Sequence, residues 1–559
     1  MENIFKLPKI CLTLLFILFL TSCGINKSIN HRPILTNFIA EIPEKVVIND
    51  STSHVGNNLF YKNKYGFWEL SVEGDPLQRG LLIGTLTEQL MNKQEGIFFD
   101  KINELVPSKS RQNFLRKFLS WYNRKIYKHI TNEYKSEVFG MTQYASKEYN
   151  NIAPRYLRSL YLQGAHDIGH ALQDFALVGC TSFAIWDTKS EDGKLLIGRN
   201  FDFYAGDAFA ENKIMSFVKP STGHNYVSIS WAGMVGVVSG MNEHGLTVTI
   251  NAGKSKIPFI AKTPISIVAR EVLQYASNIE EAIAIASKRE VFVSESILIG
   301  SAFDKKAILI EVSPNNFGVF DPENTNQLIC SNHFQSDSYN NDKRNQKTIL
   351  ESHTNYRYNR MEELLVNHHK INPAKAAEIL RNKEGKNDKK IGFGNEKSIN
   401  HLLAHHSVIF QPEDLKIWVS TSPYQLGEFI AYDLNEVFNK RDVTSLELSL
   451  SDPSLTISKD PFLNTIAYDN YEKFRILERK VTAAIADNDI IIDADLQLLV
   501  NLNPEYWIAY KLLGEYHYTR QNYFMALKYF EIAATKEITT SLDVNYIAKL
   551  IKKSKRKLK

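Results

Sequence analysis

The sequence predicts an α+β fold built in layers. Three observations carry that prediction. Short, strand-like stretches crowd between residues 180 and 434, with helical patterns grouped among them. A mainly helical stretch, 85–175, precedes them, and helical periodicity returns from about residue 469. Runs of strands with helices grouped between them favour layered packing over a repeating strand–helix alternation.

The chain of 559 residues is long enough for several domains with sizeable cores. A net charge of +4 is too small to argue for a nucleic-acid partner, and none is expected. The four cysteines are Cys11, Cys23, Cys180 and Cys330. Two of them lie in or at the end of an apolar leader, so a disulfide framework is not expected in the body.

Residues 1–23 read as a secretory leader. Lys6 and Lys9 supply positive charge ahead of an apolar run, Cys11 to Leu20, that is short for a membrane span. The run ends in Leu20-Thr21-Ser22-Cys23-Gly24. This resembles the lipobox of bacterial lipoproteins, which implies lipidation of Cys23 and a membrane-anchored protein of the cell envelope. Residues 24–64 then read as a tether with some strand.

Phe67 to Val72 alternates like a strand, and Gly74, Gly80 and Gly84 lead into the helical stretch. His166 and His170 lie late in it at helical i, i+4 spacing, around Asp167. That spacing can serve zinc, but no third ligand is apparent and Gly169 weakens the helix, so no metal is expected. Strands are expected at 226–231, at 238–253 around an Asn242–Gly245 turn, and at 296–301, 307–313, 327–331, 407–410, 415–421 and 428–432. Helices are expected at 265–277, 280–289, 357–369 and 373–382. The charged, Gly/Asn/Lys-rich stretch 383–398 reads as a surface loop, and His401, His405 and His406 after it read as surface or core histidines. Residues 435–468 read as a linker. From Pro504 to Ala533, the positions of Tyr510, Leu513, Gly514, Tyr523, Ala526, Phe530 and Ala533 fit one tetratricopeptide-like repeat. Such a unit either caps the main domain or binds a protein partner through residues 469–559. The basic tail, Lys549 to Lys559, reads as a solvated helix end.

The stretch that carries chemistry is Gly179 to Asp202, GCTSFAIWDTKSEDGKLLIGRNFD. Two β-favouring runs flank an Asp-Gly turn, which makes a hairpin with a thiol at one end and Arg199 and Asp202 at the other. A thiol is mostly protonated at neutral pH and needs a base. Cleavage between Gly179 and Cys180 would supply one, an α-amine with a pKa of roughly 7.7–8. An oxyanion formed by attack on an acyl carbon needs fixed donors, for which Asn251 and Asn332 are candidates at strand ends.

These motifs, taken in order, resemble the N-terminal-nucleophile cysteine hydrolases, in particular the acyl-CoA:6-aminopenicillanic acid acyltransferase family, with choloylglycine hydrolases and acid ceramidase-like amidases as relatives. Gly74-Asp75-Pro76 with Arg79-Gly80 resembles part of the family's propeptide. GCTSF and GRNFD resemble the nucleophile hairpin. GMNEHGL before Asn251, SNHF at 331–334, Arg360 in Tyr358-Asn359-Arg360, and Ile417-Trp418-Val419 resemble later family segments. The resemblance covers about 65–434. It implies a four-layer αββα sandwich at 180–434 after a helical propeptide at 65–179, and self-cleavage before Cys180. It further implies acyl transfer through a Cys180 thioester, with no cofactor. Arg199 and Asp202 would orient the Cys180 amine, Asn332 and the Asn251 backbone would hold the oxyanion, and Arg360 would lie near the substrate. The expected substrate is a small acyl amide or ester. Two other readings compete: a non-catalytic lipoprotein scaffold working through 469–559, and a metal hydrolase built on His166 and His170.

Overall fold

The structure, a computed structural model, describes residues 24–35, 43–164, 167, 179–204, 206–254, 260–439 and 449–559. The chain begins with β1 (Val46–Asn49), β2 (Thr52–Val55), β3 (Asn58–Lys62) and β4 (Trp68–Gly74), followed by helices α1 (Pro76–Leu105), α2 (Lys109–Tyr122), α3 (Asn132–Met141) and α4 (Arg155–Gln163). Next come β5 (Thr181–Ile185), β6 (Leu196–Phe201), β7 (Lys213–Pro220), β8 (Tyr226–Trp231), β9 (Ser239–Asn242) and β10 (Leu246–Ala252). Helices α5 (Ile265–Tyr275) and α6 (Ile279–Ser287) lead to β11 (Glu295–Ser301), β12 (Lys306–Ser313), β13 (Asn316–Phe320) and β14 (Gln327–Cys330). Then follow α7 (Lys343–Glu351), α8 (Thr354–Asn367) and α9 (Pro373–Leu380), strands β15 (His406–Gln411), β16 (Lys416–Ser420) and β17 (Phe429–Asp433), helix α10 (Leu434–Asn439) and β18 (Asp452–Ile457). Five helices close the chain: α11 (Ile466–Asp487), α12 (Asp493–Leu502), α13 (Trp507–Thr519), α14 (Tyr523–Thr535) and α15 (Ser541–Lys557).

The strands form two sheets. One has eleven strands in the order β1-β2-β3-β4-β7-β8-β9-β10-β11-β12-β13; the other has seven, β14-β5-β6-β15-β16-β17-β18. Period-two alternation sends successive side chains to opposite faces and so builds separate apolar layers. On β12, Ile308, Ile310 and Val312 join a core with Leu82 and Leu86 of α1, Val138 of α3, Leu160 of α4 and Val268 and Val272 of α5. Ala307 and Leu309, which alternate with them in sequence, face the opposite sheet, where they meet Ala184, Ile197, Phe410 and Val419. The outer face of the seven-stranded sheet, with Phe183, Ile185, Leu196 and Trp418, is covered by Leu364 and Leu365 of α8 and Ile379 and Leu380 of α9. The result is helix, sheet, sheet, helix, the four-layer sandwich that the resemblance implies. The five C-terminal helices have a core of their own, in which Leu402 and Leu426 of the sandwich also take part.

Two stretches differ from the sequence reading. Within 24–64, expected as a tether, β1–β3 extend the large sheet and bury Leu59 and Phe60. Within 435–468, expected as a linker, β18 pairs with β17 and adds an edge to the smaller sheet. β1 and β18 are edge strands with a free side in water, which suits their polar sequences; β2 and β3 are paired on both sides.

The segment before Cys180 is built into the sandwich. Strand β4 pairs in parallel with β7, from Trp68–Ile214 to Gly74–Pro220. At the start of α1, Asp75 accepts a capping bond from the Gln78 N–H at 3.0 Å, with Pro76 at the first helical position. Arg79 then reaches back to the Gly74 carbonyl at 2.7 Å. At Gly80 the backbones of α1 and α3 touch: a Cβ there would lie 2.0 Å from the Glu137 carbonyl oxygen. Glu137 is buried between two guanidinium groups, Arg79 Nη2 at 2.7 Å and Arg270 Nη2 at 2.9 Å. Burial alone would push its carboxyl up, but Arg270 and Arg79 together hold it below the usual range. Removing one member of such a triad leaves a buried charge uncompensated. Glu137→Ala is therefore expected to cost about 3–5 kcal/mol, read as a lower urea midpoint of the full chain. An unchanged midpoint would show that the triad contributes nothing.

Candidate active site

The site forms where β5 and β6 of one sheet meet β9 and β10 of the other. Strands β5 and β6 are antiparallel neighbours, with Thr181 opposite Asn200 and Ile185 opposite Leu196. This register sets Cys180, just before β5, beside Arg199 and Asp202 at the end of β6. Arg199 is fully buried and crosses between the sheets. Its Nη1 donates to the Val238 carbonyl at 3.0 Å and Ser239 Oγ at 2.6 Å; its Nη2 donates to the Ile250 carbonyl and, at 3.7 Å, to Cys180 Sγ. The guanidinium also stacks on the Phe201 ring, 4.3 Å from its centroid. Behind it, His406 Nε2 lies 2.9 Å from Ser239 Oγ, and His405 lies 2.8 Å from His406.

Cys180 is wholly buried and carries a free thiol. Burial pushes that thiol up to about 11; the Arg199 charge opposes the rise and the Asp202 charge adds to it. In the uncut chain it is therefore a thiol and not a thiolate at neutral pH. Cys330, the partner for a bridge that the sequence permits, is also free and buried.

Asp202 lies against the bond that the sequence reading marks for cleavage. Its carbonyl accepts from the Gly179 N–H at 3.1 Å. Among the described residues its two carboxyl oxygens are buried without a well-formed hydrogen bond, and His401 Nδ1 lies 3.7 Å from Oδ2. Burial raises this carboxyl to about 8, against the pull of Arg357, Arg199 and the nearby Gln425 amide. A buried polar atom left unpaired in this way is costly, and here the cost sits next to Gly179–Cys180.

The two asparagines face the same seam. Asn251 accepts from Ser182 Oγ at 3.0 Å and donates to the Cys330 carbonyl at 3.2 Å. Asn332 donates from Nδ2 to the Ala252 carbonyl at 2.9 Å, which leaves the second N–H of that amide undirected by any of these bonds. Its backbone N–H donates to Thr354 Oγ1 at 2.7 Å.

The structure brings a different arginine to the site from the one the resemblance indicates. Arg360 is buried but turned to Glu363 at 3.1 Å, Asp388 at 2.6 Å and Asn382 at 3.2 Å. Arg357, almost one helical turn earlier on α8, donates to the Cys180 carbonyl at 2.7 Å, to Thr181 Oγ1 and to Asn332 Oδ1. Sequence alone offers two arginines on one helix; only the contact with Asn332 separates them. His353, Glu396 and His401 are also at this site; the sequence reading places Glu396 in a surface loop and His401 among three surface or core histidines, and singles out neither for the site.

His166, His170 and Cys23 lie outside the described residues. Asp167 is described and is buried, its Oδ2 accepting from the Ile265 N–H at the start of α5 at 2.8 Å. Among the described residues, the three-residue group with converging ligand atoms is His224, Glu243 and His244, on the β7–β8 and β9–β10 turns.

Residues 188–422 match the family model of acyl-coenzyme A:6-aminopenicillanic acid acyl-transferase. The match takes in Arg199, Asp202, Asn251, Asn332 and Arg357, and begins after Cys180. A protein of Archaeoglobus fulgidus is 31% identical over 153 residues, 27% of this chain and 26% of that protein, so the chain spans about a quarter of that relative's length. The solved structures similar to it include the N-acylethanolamine-hydrolyzing acid amidase ortholog of Caenorhabditis elegans, at TM-score 0.30 and 18% identity, covering 42% of this chain and 93% of that one. Another is a mutant of the conjugated bile acid hydrolase of Clostridium perfringens, at TM-score 0.31 and 14% identity, covering 46% of this chain and 93% of that one.

The raised Asp202 carboxyl has a measurable consequence. A carboxyl with a folded pKa above its unfolded value contributes stability that is complete below the unfolded pKa and is lost as pH rises to the folded one. In a Cys180→Ala background, Asp202→Asn should gain stability relative to Asp202 between about pH 4 and pH 8 and then level off. Urea midpoints measured across that range check this; parallel curves would mean that Asp202 is not perturbed.

Proposed function

We propose that this chain is an N-terminal-nucleophile cysteine hydrolase that cleaves itself between Gly179 and Cys180 and then acts on a linear amide or ester. The observation that carries the reading is the buried Asp202 carboxyl, without a well-formed hydrogen bond among the described residues, next to Gly179 and to Cys180, which Arg199 and Arg357 hold. A cationic α-amine created at Cys180 would give that carboxylate the partner it lacks.

Self-cleavage starts with attack of Cys180 Sγ on the Gly179 carbonyl. The bond from Gly179 to the Cys180 nitrogen breaks, a thioester forms, and the nitrogen leaves as an amine. Water then splits the thioester, releasing the Gly179 carboxylate and a chain that begins with Cys180. In that chain the α-amine takes the thiol proton and returns it to the leaving group. The acyl oxyanion would be met by the remaining N–H of the Asn332 amide, which Arg357 fixes, and by the backbone at Asn251. Arg199 holds the sulfur by its charge, and Asp202 orients the amine.

The two fragments would stay together. The β4–β7 ladder and the Arg79–Glu137–Arg270 triad both join residues on either side of the cut. Purified wild type should show two masses, the second starting at Cys180, that separate only in denaturant. Cys180→Ala should give one uncut mass. A single mass for both proteins would remove the self-cleavage reading.

For location, the apolar leader and Cys23 support a lipid-anchored envelope protein, with the sandwich outside the bilayer. No helix among the described residues is long and apolar enough to cross a membrane. Cys23→Ser is expected to abolish incorporation of labelled fatty acid in cells; labelling that persists would contradict an anchor at Cys23.

A further inference from the structure

The stretch 391–402 lies between the C-terminal helices and the site. It has no helix or strand, yet Ile391, Asn395, Ser398, Ile399, Asn400, His401 and Leu402 are buried. On one side it faces Cys180. A Cβ built on Gly179 would meet His401 Cε1 at 2.8 Å and His353 Cε1 at 3.4 Å, so the two imidazoles pack directly on the residue before the nucleophile. His401 Nδ1 is 3.7 Å from Asp202 Oδ2. Glu396 lies 3.8 Å from His353 Nε2, and His353 Nδ1 accepts from Arg357 Nε at 3.1 Å.

On its other side the same stretch is gripped by the C-terminal helices. Asn503, after α12, binds the Phe393 backbone twice, accepting from its N–H at 3.1 Å and donating to its carbonyl at 2.8 Å. Tyr506 donates to the Gly394 carbonyl at 3.2 Å, and its backbone comes so close to Gly392 that a Cβ there would lie 2.4 Å from the Tyr506 Cα. Gly392 also has φ +85°, a conformation that favours glycine. Glu537, between α14 and α15, binds Lys397 at 2.7 Å and Lys389 at 2.8 Å, and its carbonyl accepts from Asn395 at 2.9 Å. Leu402, next to His401, is a member of the C-terminal apolar core.

We propose that the C-terminal helices are a working part of the hydrolase site: they hold the loop 391–402 so that His401 and Glu396 fix the Gly179–Cys180 segment against Asp202 and Arg357. His401 and Glu396 are positioning residues, one acting on Gly179 and Asp202, the other through His353 on Arg357. Two rigid supports at one loop are what such a role requires, since a site must be held to a fraction of an ångström by its surroundings. The proposal rests on the reading of Cys180 as nucleophile, but its test does not need cleavage to occur.

The test uses the full chain and reads the rate at which iodoacetamide alkylates Cys180 relative to Cys330, by peptide mass, beside the rate of self-cleavage. Glu537→Lys sets three cations together and should loosen the loop; Asn503→Ala removes the double bond to Phe393. Each should change the Cys180-to-Cys330 ratio and the cleavage rate by about tenfold, and Glu537→Lys with Lys397→Glu should restore most of the loss. Should Glu537→Lys fail to fold, Asn503→Ala and His401→Gln carry the test. Ratios and rates within about twofold of wild type in folded variants overturn the proposal. If no chain cleaves, wild type included, the self-cleavage reading fails, while the alkylation ratio still decides whether the helices position Cys180.

Discussion

Arg199 is the constraint on which the site depends. It starts on β6 of one sheet and ends among the carbonyls of Val238 and Ile250, which belong to the other sheet's strands and turns. A guanidinium buried without a carboxylate at hydrogen-bond distance must spend its donors on something fixed. Here the fixed acceptors are two carbonyls, a hydroxyl and the sulfur of Cys180. The position of the Cys180 sulfur is thereby tied to the spacing of the two sheets, and any change in that spacing would be felt at Sγ.

Around that anchor the charges are arranged as a deficit. Asp202 has arginines near it but no well-formed hydrogen bond to its carboxyl, which is raised accordingly. Glu396, partly buried and near Asp543, is also raised, to about 7, against the opposing charge of Arg357. His401 and His353 are held well below the usual imidazole range, chiefly by burial and then by Arg357. The uncut site thus holds neutral imidazoles and reluctant carboxylates around one peptide bond. Self-cleavage would introduce a carboxylate at Gly179 and an α-ammonium at Cys180, and the ammonium is of the sign that Asp202 would accommodate.

Much of this was legible in the sequence. The Gly-Cys start, the Arg-Asn-Phe-Asp end and the two asparagines at strand ends mark the seam between the sheets, because each sits where a period-two run stops. What was not legible is whatever depends on long-range packing. Arg357 and Arg360 share a helix, and only the position of Asn332 across the fold separates them. His401 reads as one of three nearby histidines, and its role appears only when Gly179 is placed against it. Strands β1 and β18 sit at sheet edges, where half-solvated, polar composition hides them. The C-terminal repeat-like pattern gives helices correctly, but it cannot say what they grip; Asn503, Tyr506 and Glu537 are unremarkable in sequence.

The central claim is that Cys180 carries the acyl group. The most direct measurement is the intact mass of the fragment beginning at Cys180 after brief reaction with a linear N-acyl amide and quenching in acid. The account predicts a transient gain equal to one acyl group, lost on treatment with hydroxylamine and located to Cys180 by peptide mapping. An amide that is hydrolysed with no acyl mass on that fragment, or with the acyl group at another residue, would contradict it.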